Sequence, residues 1–293
     1  KIADAILETR EMRMGFMGKI LQETAGATGL SNKTESRNGD LPRLEFPLLA
    51  SSPGLRHGIY TRLGGVSGGP FAALNAALDV GDEPSAVEEN RRRIQGEMGG
   101  MTPVFLRQHH GTRVVCMGGE KQGERSAEAP LYADAVITNR PGLLLVIQVA
   151  DCQAVIIYDP VEQVVANVHS GWRGSVGNIV GKTVEKMQHT FGCRPENLTA
   201  GIGPSLGPCC AEFVHYRDEI PPSLWRYRVD GFNFDFWSMS IDQLKGAGLV
   251  ERNIDAAGLC TRCRTDLFYS YRAEKTTGRF AAVAGLVGKG WQR

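Results

Sequence analysis

The chain has 293 residues, of which 42% are hydrophobic and 22% charged, as in a globular protein with a sizeable core. Its formal net charge of +1 gives no reason to expect a polyanion such as nucleic acid as a partner. No apolar run approaches the roughly 18 residues of a membrane span, and no secretion signal is visible. We therefore predict no nucleic-acid or membrane partner, a cytoplasmic location, and seven cysteines that are reduced thiols or metal ligands.

The N-terminal residues differ in pattern from the rest of the chain. Apolar residues recur at roughly helical spacing within residues 1–22, which predicts an amphipathic helix. Small and polar residues follow up to residue 40, as is typical of a flexible loop or linker. We predict an extension over residues 1–41, partly helical or flexible, and a catalytic domain over residues 42–293.

Two features come next in the chain. Residues 57–80 are rich in glycine, which is compatible with tight turns or with close approach of the backbone to a ligand, and they lack a Walker signature. Residues 85–95 are predicted to form a helix that starts with a capping box, with Ser85 as the N-cap and Glu88 three residues later.

Adjacent histidines, His109 and His110, lie directly before Gly111. Neighbouring side chains of an extended segment point in opposite directions, so we expect at most one of the two imidazoles to face a given site. Residues 132–138, which include Asp134, are predicted to form the next strand.

Three apolar runs in the middle of the chain predict buried strands. They cover Leu143–Val149, residues 154–158 and residues 164–168, are rich in Val and Ile, and are bounded by turn residues. The first run leads into Asp151 and Cys152, and the third ends at His169. We therefore expect two potential metal ligands or catalytic groups at the ends of neighbouring strands.

A helix over residues 174–189 is predicted to follow directly. Arg173 and the free N–H groups at the start of this helix would suit an anion such as phosphate, although a plain strand-to-helix turn explains the same residues. Later segments predict a strand over residues 198–202, a short helix over residues 241–247 and a strand over residues 267–280, where aromatic and polar residues alternate.

Four further cysteines occur in two pairs. Neighbouring cysteines are poorly placed to bind one metal ion together. Cys209 and Cys210 are therefore expected to have a packing role and not to bind a metal. Cys260 and Cys263 form a CxxC pattern, but no second CxxC or His pair follows at zinc-finger spacing. The pattern therefore does not predict a structural zinc site.

Two chemistries are compatible with Cys152, His169 and one of the adjacent histidines. Two imidazoles and a thiolate leave one position of a tetrahedral zinc ion open, as in catalytic zinc sites. Without a metal, the same residues suit a cysteine nucleophile with a histidine base, oriented by an acid such as Asp151. Composition and spacing leave both hypotheses open.

A series of motifs indicates a family. In chain order they are TRLGGVS, LN, ENR, QHHG, YADAVIT, ADC, HSGWRG, GIGPSLGPCC, CT, FYSYR and TGR, between about His57 and Phe280. With these motifs the chain resembles the YfiH family, also described as laccase-domain, polyphenol oxidase or peptidoglycan-editing-factor proteins. It departs from the family pattern at His109, where an apolar residue is usual, and at Ala211, where a tyrosine is common.

The resemblance implies the fold and the metal site. It implies a single α/β domain, with a central mixed β-sheet flanked by helices in a layered sandwich. It also implies zinc, with copper as the alternative, as the cofactor held by His110, Cys152 and His169. Those three residues and Asp151 are the implied catalytic residues, and the implied substrate-binding residues are Arg62, Asn75, Gln108, Arg173 and Arg272.

The activity that the resemblance implies is phosphorolysis of purine nucleosides (adenosine, inosine, guanosine and methylthioadenosine), together with deamination of adenosine. Its partners would be a nucleoside and phosphate, and the protein would be a monomer or small homo-oligomer. A zinc amidase that edits peptidoglycan precursors ranks second. A copper polyphenol oxidase ranks third, because six histidines without a His-x-His pair are too few for a multicopper cluster. The intact ligand set disfavours a metal-sensing or partner-binding protein.

Overall fold

The computed structural model describes residues 41–118 and 131–288. The helix and linker predicted before residue 41 lie outside the described residues. The strands are β1 (Arg43–Leu44), β2 (Leu55–Tyr60), β3 (Thr102–Phe105), β4 (Val114–Met117), β5 (Ala135–Thr138), β6 (Leu143–Val149), β7 (Gln153–Asp159), β8 (Val164–Ser170), β9 (Thr199–Ile202), β10 (Arg228–Asp230), β11 (Asn233–Phe234), β12 (Ile254–Ala256) and β13 (Phe280–Leu286).

The α-helices are α1 (Pro47–Ala50), α2 (Pro84–Glu97), α3 (Trp172–Val176), α4 (Ile179–Phe191), α5 (Tyr216–Glu219), α6 (Phe236–Gly246) and α7 (Tyr271–Glu274). Short 3-10 helices lie at Gly69–Phe71, Pro195–Asn197, Pro222–Tyr227 and Glu251–Asn253. In this described part of the chain, no helix combines the length and the hydropathy that crossing a membrane requires.

Two mixed sheets form the centre of the fold. One has the strand order β1-β2-β13-β6-β3 and the other the order β12-β9-β7-β8-β5-β4. They pack against each other through β6, β13 and β8. Helix α2 covers the outer face of the first sheet, and helices α4 and α6 cover the outer face of the second. The predicted α/β layered sandwich is confirmed.

The central strands are mostly apolar because both of their faces are buried. Along β6, Leu145 and Ile147 face the core between the sheets, whereas Leu144 and Val146 face the layer of α2. Along β7, Ile156 faces the core between the sheets, and its neighbours pack on the side of α4. Strands buried on both sides read as continuous apolar runs, and all three central strands were predicted on this basis.

Three local predictions are wrong. Helix α2 begins at Pro84, with Glu83 as its N-cap and no side-chain cap, so the capping box does not form. Proline at the first helical position already has the helical φ. The helix predicted over residues 174–189 is divided into α3 and α4, because Asn178 takes a left-handed φ of 56° and caps α4 through the N–H of Gly181.

The third wrong prediction is the strand over residues 267–280. Consecutive residues Phe268 and Tyr269 are both fully buried, so the segment does not alternate between two faces. Ser270 then accepts a hydrogen bond from the N–H of Ala273 and caps helix α7. The strand β13 begins only at Phe280.

His57 of β2 makes the stability of the fold dependent on pH. Its side chain is buried, its Nε2 accepts the N–H of Phe46 at 2.9 Å, and the two rings stack. Burial lowers the pKa of His57 from 6.5 to about 4. The unfolded chain therefore binds a proton between these pH values that the folded chain does not, and this part of the stability is present above pH 6.5 and is lost as the pH falls towards 4.

We expect this effect to lower the free energy of unfolding by about 3 kcal/mol between pH 7 and pH 4. Urea unfolding at a series of pH values measures it. Other groups titrate in the same range, so the comparison is with His57→Gln, whose amide oxygen can accept the same N–H and does not titrate. If His57→Gln loses as much stability as the original chain over this range, His57 is not the source.

Candidate metal centre

Three separate segments converge at one end of the two-sheet core. Cys152 directly precedes β7, His169 is near the end of β8, and the register of these antiparallel strands places His169 opposite Ala154. His110 comes from the connection between β3 and β4. The prediction that Cys152 and His169 lie at the ends of neighbouring strands is confirmed.

The three side chains form a compact set of metal donors. The ligand atoms of His110, Cys152 and His169 all lie within 4.8 Å of one another. The two imidazole rings meet edge to face, with their centroids 4.8 Å apart. His169 is buried and His110 is exposed, so one side of the set faces the solvent. Two imidazoles, one thiolate and an open side fit a catalytic zinc ion, and the same soft donors also suit copper.

Asp134 holds two of the three donors in place. Its fully buried carboxylate accepts the backbone N–H groups of His109, His110 and Gly111 at 2.8–3.1 Å. It also lies 2.8 Å from Nδ1 of His169, which leaves Nε2 as the nitrogen available for a metal. The left-handed φ of 62° at His110 belongs to this turn around the carboxylate. A carboxylate behind a histidine ligand fixes its tautomer and orientation.

The two adjacent histidines point in different directions, as predicted. His110 belongs to the donor set, whereas Nε2 of His109 lies 3.3 Å from Oδ2 of Asp134 and its side chain is about half exposed. His109 therefore lies behind the donor set and is not one of its members.

Burial and charge act against each other at the donors. Burial opposes ionisation of Cys152, but the charge of His169 and hydrogen bonds from both histidines outweigh it and lower the pKa of the thiol to about 6. Burial also opposes protonation of His169, but Cys152 and Asp134 raise its pKa to about 9. The metal-free site is therefore a thiolate–imidazolium pair, in which a metal ion would replace the imidazolium proton.

Gly171 makes room for two of the donors. A Cβ atom at this position would lie 2.7 Å from Cδ2 of His110 and 3.3 Å from Sγ of Cys152. The glycine of the HSGWRG motif is thus explained by the close approach of the backbone to the metal site.

Asp151 does not have the orienting role that the metal-free hypothesis gave it. Its Oδ1 accepts the hydroxyl of Thr261 at 2.7 Å, and its Oδ2 accepts the backbone N–H of Arg272 at 2.6 Å. The acid that orients His169 is Asp134. Asp151 lines the cleft and ties together the two loops that carry Thr261 and Arg272.

The donor set opens into a cleft of about 2100 Å³. Of the predicted substrate-binding residues, Gln108, Arg173 and Arg272 line this cleft. The amide of Gln108 is engaged on both sides by the backbone of Gln148, at 2.9 Å each, so it shapes the wall. The guanidinium of Arg173 stacks on Trp172 at 4.4 Å, and no carboxylate of the described residues pairs with it.

Arg62 and Asn75 are not among the residues that line the cleft, so their substrate-binding role stays a prediction. Arg62 forms an ion pair with Glu274 at 2.8 Å and stacks on Tyr269. Asn75 is fully buried, and its amide is bonded to Ala77, Asp82 and Arg279. Both side chains stabilise the glycine-rich segment.

Several residues of the site were not predicted. Asp134 had been noted only as part of a strand, and the YADAVIT motif was the one signal for it. Further arginines and aromatic side chains also line the cleft, among them Arg107, Arg279, Trp172, Phe213, Phe236 and Tyr271.

Fold and site together define an α/β two-sheet domain with a His–Cys–His donor set at the base of a cleft. The chain matches the family described as multi-copper polyphenol oxidoreductase laccase over residues 56–287. It belongs to this family, the laccase-like YfiH family, as the motifs had indicated.

Several similar proteins are named purine nucleoside phosphorylase. The chain is 36% identical over 260 residues to the purine nucleoside phosphorylase of Deinococcus radiodurans, covering 84% of this chain and 93% of the relative. It is 32% identical over 236 residues to purine nucleoside phosphorylase YfiH of Escherichia coli K12, covering 78% and 92%. The crystal structure of YlmD from Geobacillus stearothermophilus superposes with a TM-score of 0.75 at 31% identity, over 86% of this chain and 98% of that one.

Proposed function

We propose that the protein is a zinc-dependent purine nucleoside phosphorylase that accepts adenosine, inosine, guanosine and methylthioadenosine and also deaminates adenosine. The observation that carries the proposal is the set of His110, Cys152 and His169, with one side open to a cleft lined by arginines and aromatic rings. The relatives named purine nucleoside phosphorylase support it. Cytoplasmic location and a monomeric or small oligomeric state stay predictions.

The lining of the cleft suits the two substrates of phosphorolysis. Purine rings stack well on aromatic side chains, and Trp172, Phe213 and Tyr271 supply such surfaces. Phosphate needs guanidinium or N–H donors, and Arg173 and Arg272 supply the former. Arg173 lines the same cleft as the three donors, so a phosphate bound to it would lie in the cleft that the donor set faces.

The residues around the donor set have defined roles in this proposal. A bound zinc ion supplies Lewis-acid chemistry. Asp134 keeps the proton on Nδ1 of His169 and thereby leaves Nε2 to face the other two donors. Exposed His110 borders the cleft, and partly buried Cys152 provides the one anionic donor.

The test is product analysis by mass spectrometry. Zinc-loaded protein is incubated with adenosine, with and without phosphate. We expect adenine and ribose 1-phosphate only when phosphate is present, and deamination in both conditions, seen as inosine or, with phosphate, also as the hypoxanthine formed from it. Inosine alone would reduce the proposal to a deaminase. Absence of any product would contradict the nucleoside proposal and favour the peptidoglycan amidase.

Two arginine variants test the phosphate site in the same experiment. Loss of a hydrogen-bonded charge costs about 1.5–3 kcal/mol, so we expect Arg173→Ala to raise the KM for phosphate by at least about 10-fold. Arg194→Ala is the matched control, because Arg194 is a surface residue paired with Glu196 outside the cleft. An Arg173→Ala protein with unchanged dependence on phosphate would remove Arg173 from the phosphate site.

A further inference from the structure

Four cysteines outside the catalytic cleft form a second cluster. The Sγ atoms of Cys209, Cys210, Cys260 and Cys263 all lie within 4.8 Å of one another. This corrects the expectations that the neighbouring pair merely packs in the structure and that the CxxC pattern has no partner. The two pairs are brought together by β9 and β12, which are parallel neighbours. Their following loops leave the same edge of the sheet and join at the bridge between Ser205 and Cys260.

The sulfur positions match those of ligands around one metal ion. Sγ of Cys263 lies 3.7 Å from Sγ of Cys209 and 3.6 Å from Sγ of Cys210. Zinc–sulfur bonds of about 2.3 Å at tetrahedral angles place the sulfur atoms about 3.8 Å apart. A disulfide requires about 2.05 Å, and all four residues are free cysteines. The turn at Cys209 and Cys210 directs both thiols towards Cys263. These neighbouring cysteines can therefore bind the same metal ion.

The surroundings favour thiolate at one of the four positions. Cys260 is buried, which disfavours its ionisation, but the backbone N–H groups of Gly207 and Cys263 donate to its sulfur and the pKa of Cys260 is lowered overall. Burial and the neighbouring sulfurs raise the pKa of Cys209. Four thiols at this spacing repel each other once ionised, and a divalent cation removes that repulsion.

We propose that Cys209, Cys210, Cys260 and Cys263 bind a structural zinc ion, separate from the His110–Cys152–His169 site. Four thiolates with no open position are the donor set of structural rather than catalytic zinc. This proposal does not depend on the activity proposed above, because it concerns a different set of residues.

The bound ion would stabilise one wall of the cleft. Leu206 donates its N–H to the carbonyl of Asp151 at 2.9 Å, and Thr261 donates its hydroxyl to the carboxylate of Asp151 at 2.7 Å. The guanidinium of Arg272 donates to the carbonyls of Cys210 and Glu212 at 3.3 and 3.1 Å. A zinc ion that joins the two cysteine pairs would therefore fix the loops that position Asp151 and Arg272.

Metal content and cobalt absorption test the proposal on the full chain. We expect two zinc ions per chain, falling to one in Cys209→Ser/Cys263→Ser and also to one in His110→Ala/Cys152→Ala. With Co²⁺ as the probe, four thiolates give a stronger thiolate-to-cobalt absorption than one. That absorption should disappear in the first double variant and persist in the second. Cys116→Ser, which changes a buried thiol outside both clusters, is the control and should keep both ions.

A second measurement uses the original chain and does not depend on the folding of a variant. While zinc is bound, the four clustered thiols should react with a thiol reagent more slowly than in the zinc-free protein. Their reaction should release one zinc ion, in addition to the ion that is released when Cys152 reacts. Unchanged zinc content in Cys209→Ser/Cys263→Ser would overturn the proposal. So would reaction of the four thiols without release of zinc, or an intact mass that shows disulfides within the cluster.

Discussion

Cys152→Ala is expected to lower both zinc affinity and the rate of phosphorolysis by more than about 100-fold. The thiolate is the one anionic donor of the His110–Cys152–His169 set, and its pKa of about 6 keeps it ionised at neutral pH. Loss of a partner behind a metal ligand already costs about 10–100-fold in metal affinity, and loss of a ligand itself should cost more. Competition with a chromophoric chelator gives the affinity, and product formation gives the rate.

Cys116→Ala is the matched control, because Cys116 is also a buried free thiol but lies on β4, outside both cysteine-containing donor sets. It should keep both the affinity and the rate. Chelation separates the two hypotheses for Cys152. A metal ligand requires zinc for activity, whereas a cysteine nucleophile would stay active in the zinc-free protein and form a covalent adduct with part of the substrate.

Asp134→Asn is the second substitution with a large expected effect. Asp134 lies behind His169 and binds three consecutive backbone N–H groups of the turn that carries His110. An amide is uncharged and offers one acceptor oxygen in place of two. We therefore expect zinc affinity to fall by about 10–100-fold. Unfolding free energy should fall by about 2 kcal/mol, because buried N–H groups lose their acceptor.

Asp159→Asn separates the positioning role from a general effect of losing a buried carboxylate. Asp159 is also fully buried and accepts two backbone N–H groups, from Val161 and Glu162, at the other end of β7 from Cys152. We expect it to keep the zinc affinity of the original chain. Equal zinc affinities for Asp134→Asn and the original chain would show that Asp134 does not position the ligands.

Strands that are marked by short apolar runs could be predicted from the sequence alone. Leu143–Val149 and the two runs after it were predicted as strands, since short Val- and Ile-rich runs bounded by turn residues are more often buried strands than helices. The positions of Cys152 and His169 followed from the ends of these runs. The identity of His110 rather than His109 followed from the family motifs.

Signals that are local in the sequence misled the prediction where tertiary contacts compete with them. The capping box at Ser85 and Glu88 was replaced by a helix start at Pro84. The alternating segment after residue 267 turned into a capped helical turn, because Phe268 and Tyr269 are both buried and the N–H of Arg272 is bound by Asp151.

Which distant residues meet depends on the pairing of strands in the folded chain. Asp134 and His169 are separated by 35 positions, yet the antiparallel pairing of β5 with β8 brings them to hydrogen-bond distance. Cys210 and Cys263 are 53 positions apart and meet because β9 and β12 are parallel neighbours. Strand pairing depends on the burial of whole faces, which no short stretch of sequence encodes, so both the acid behind the ligands and the four-cysteine cluster became visible only in the folded chain.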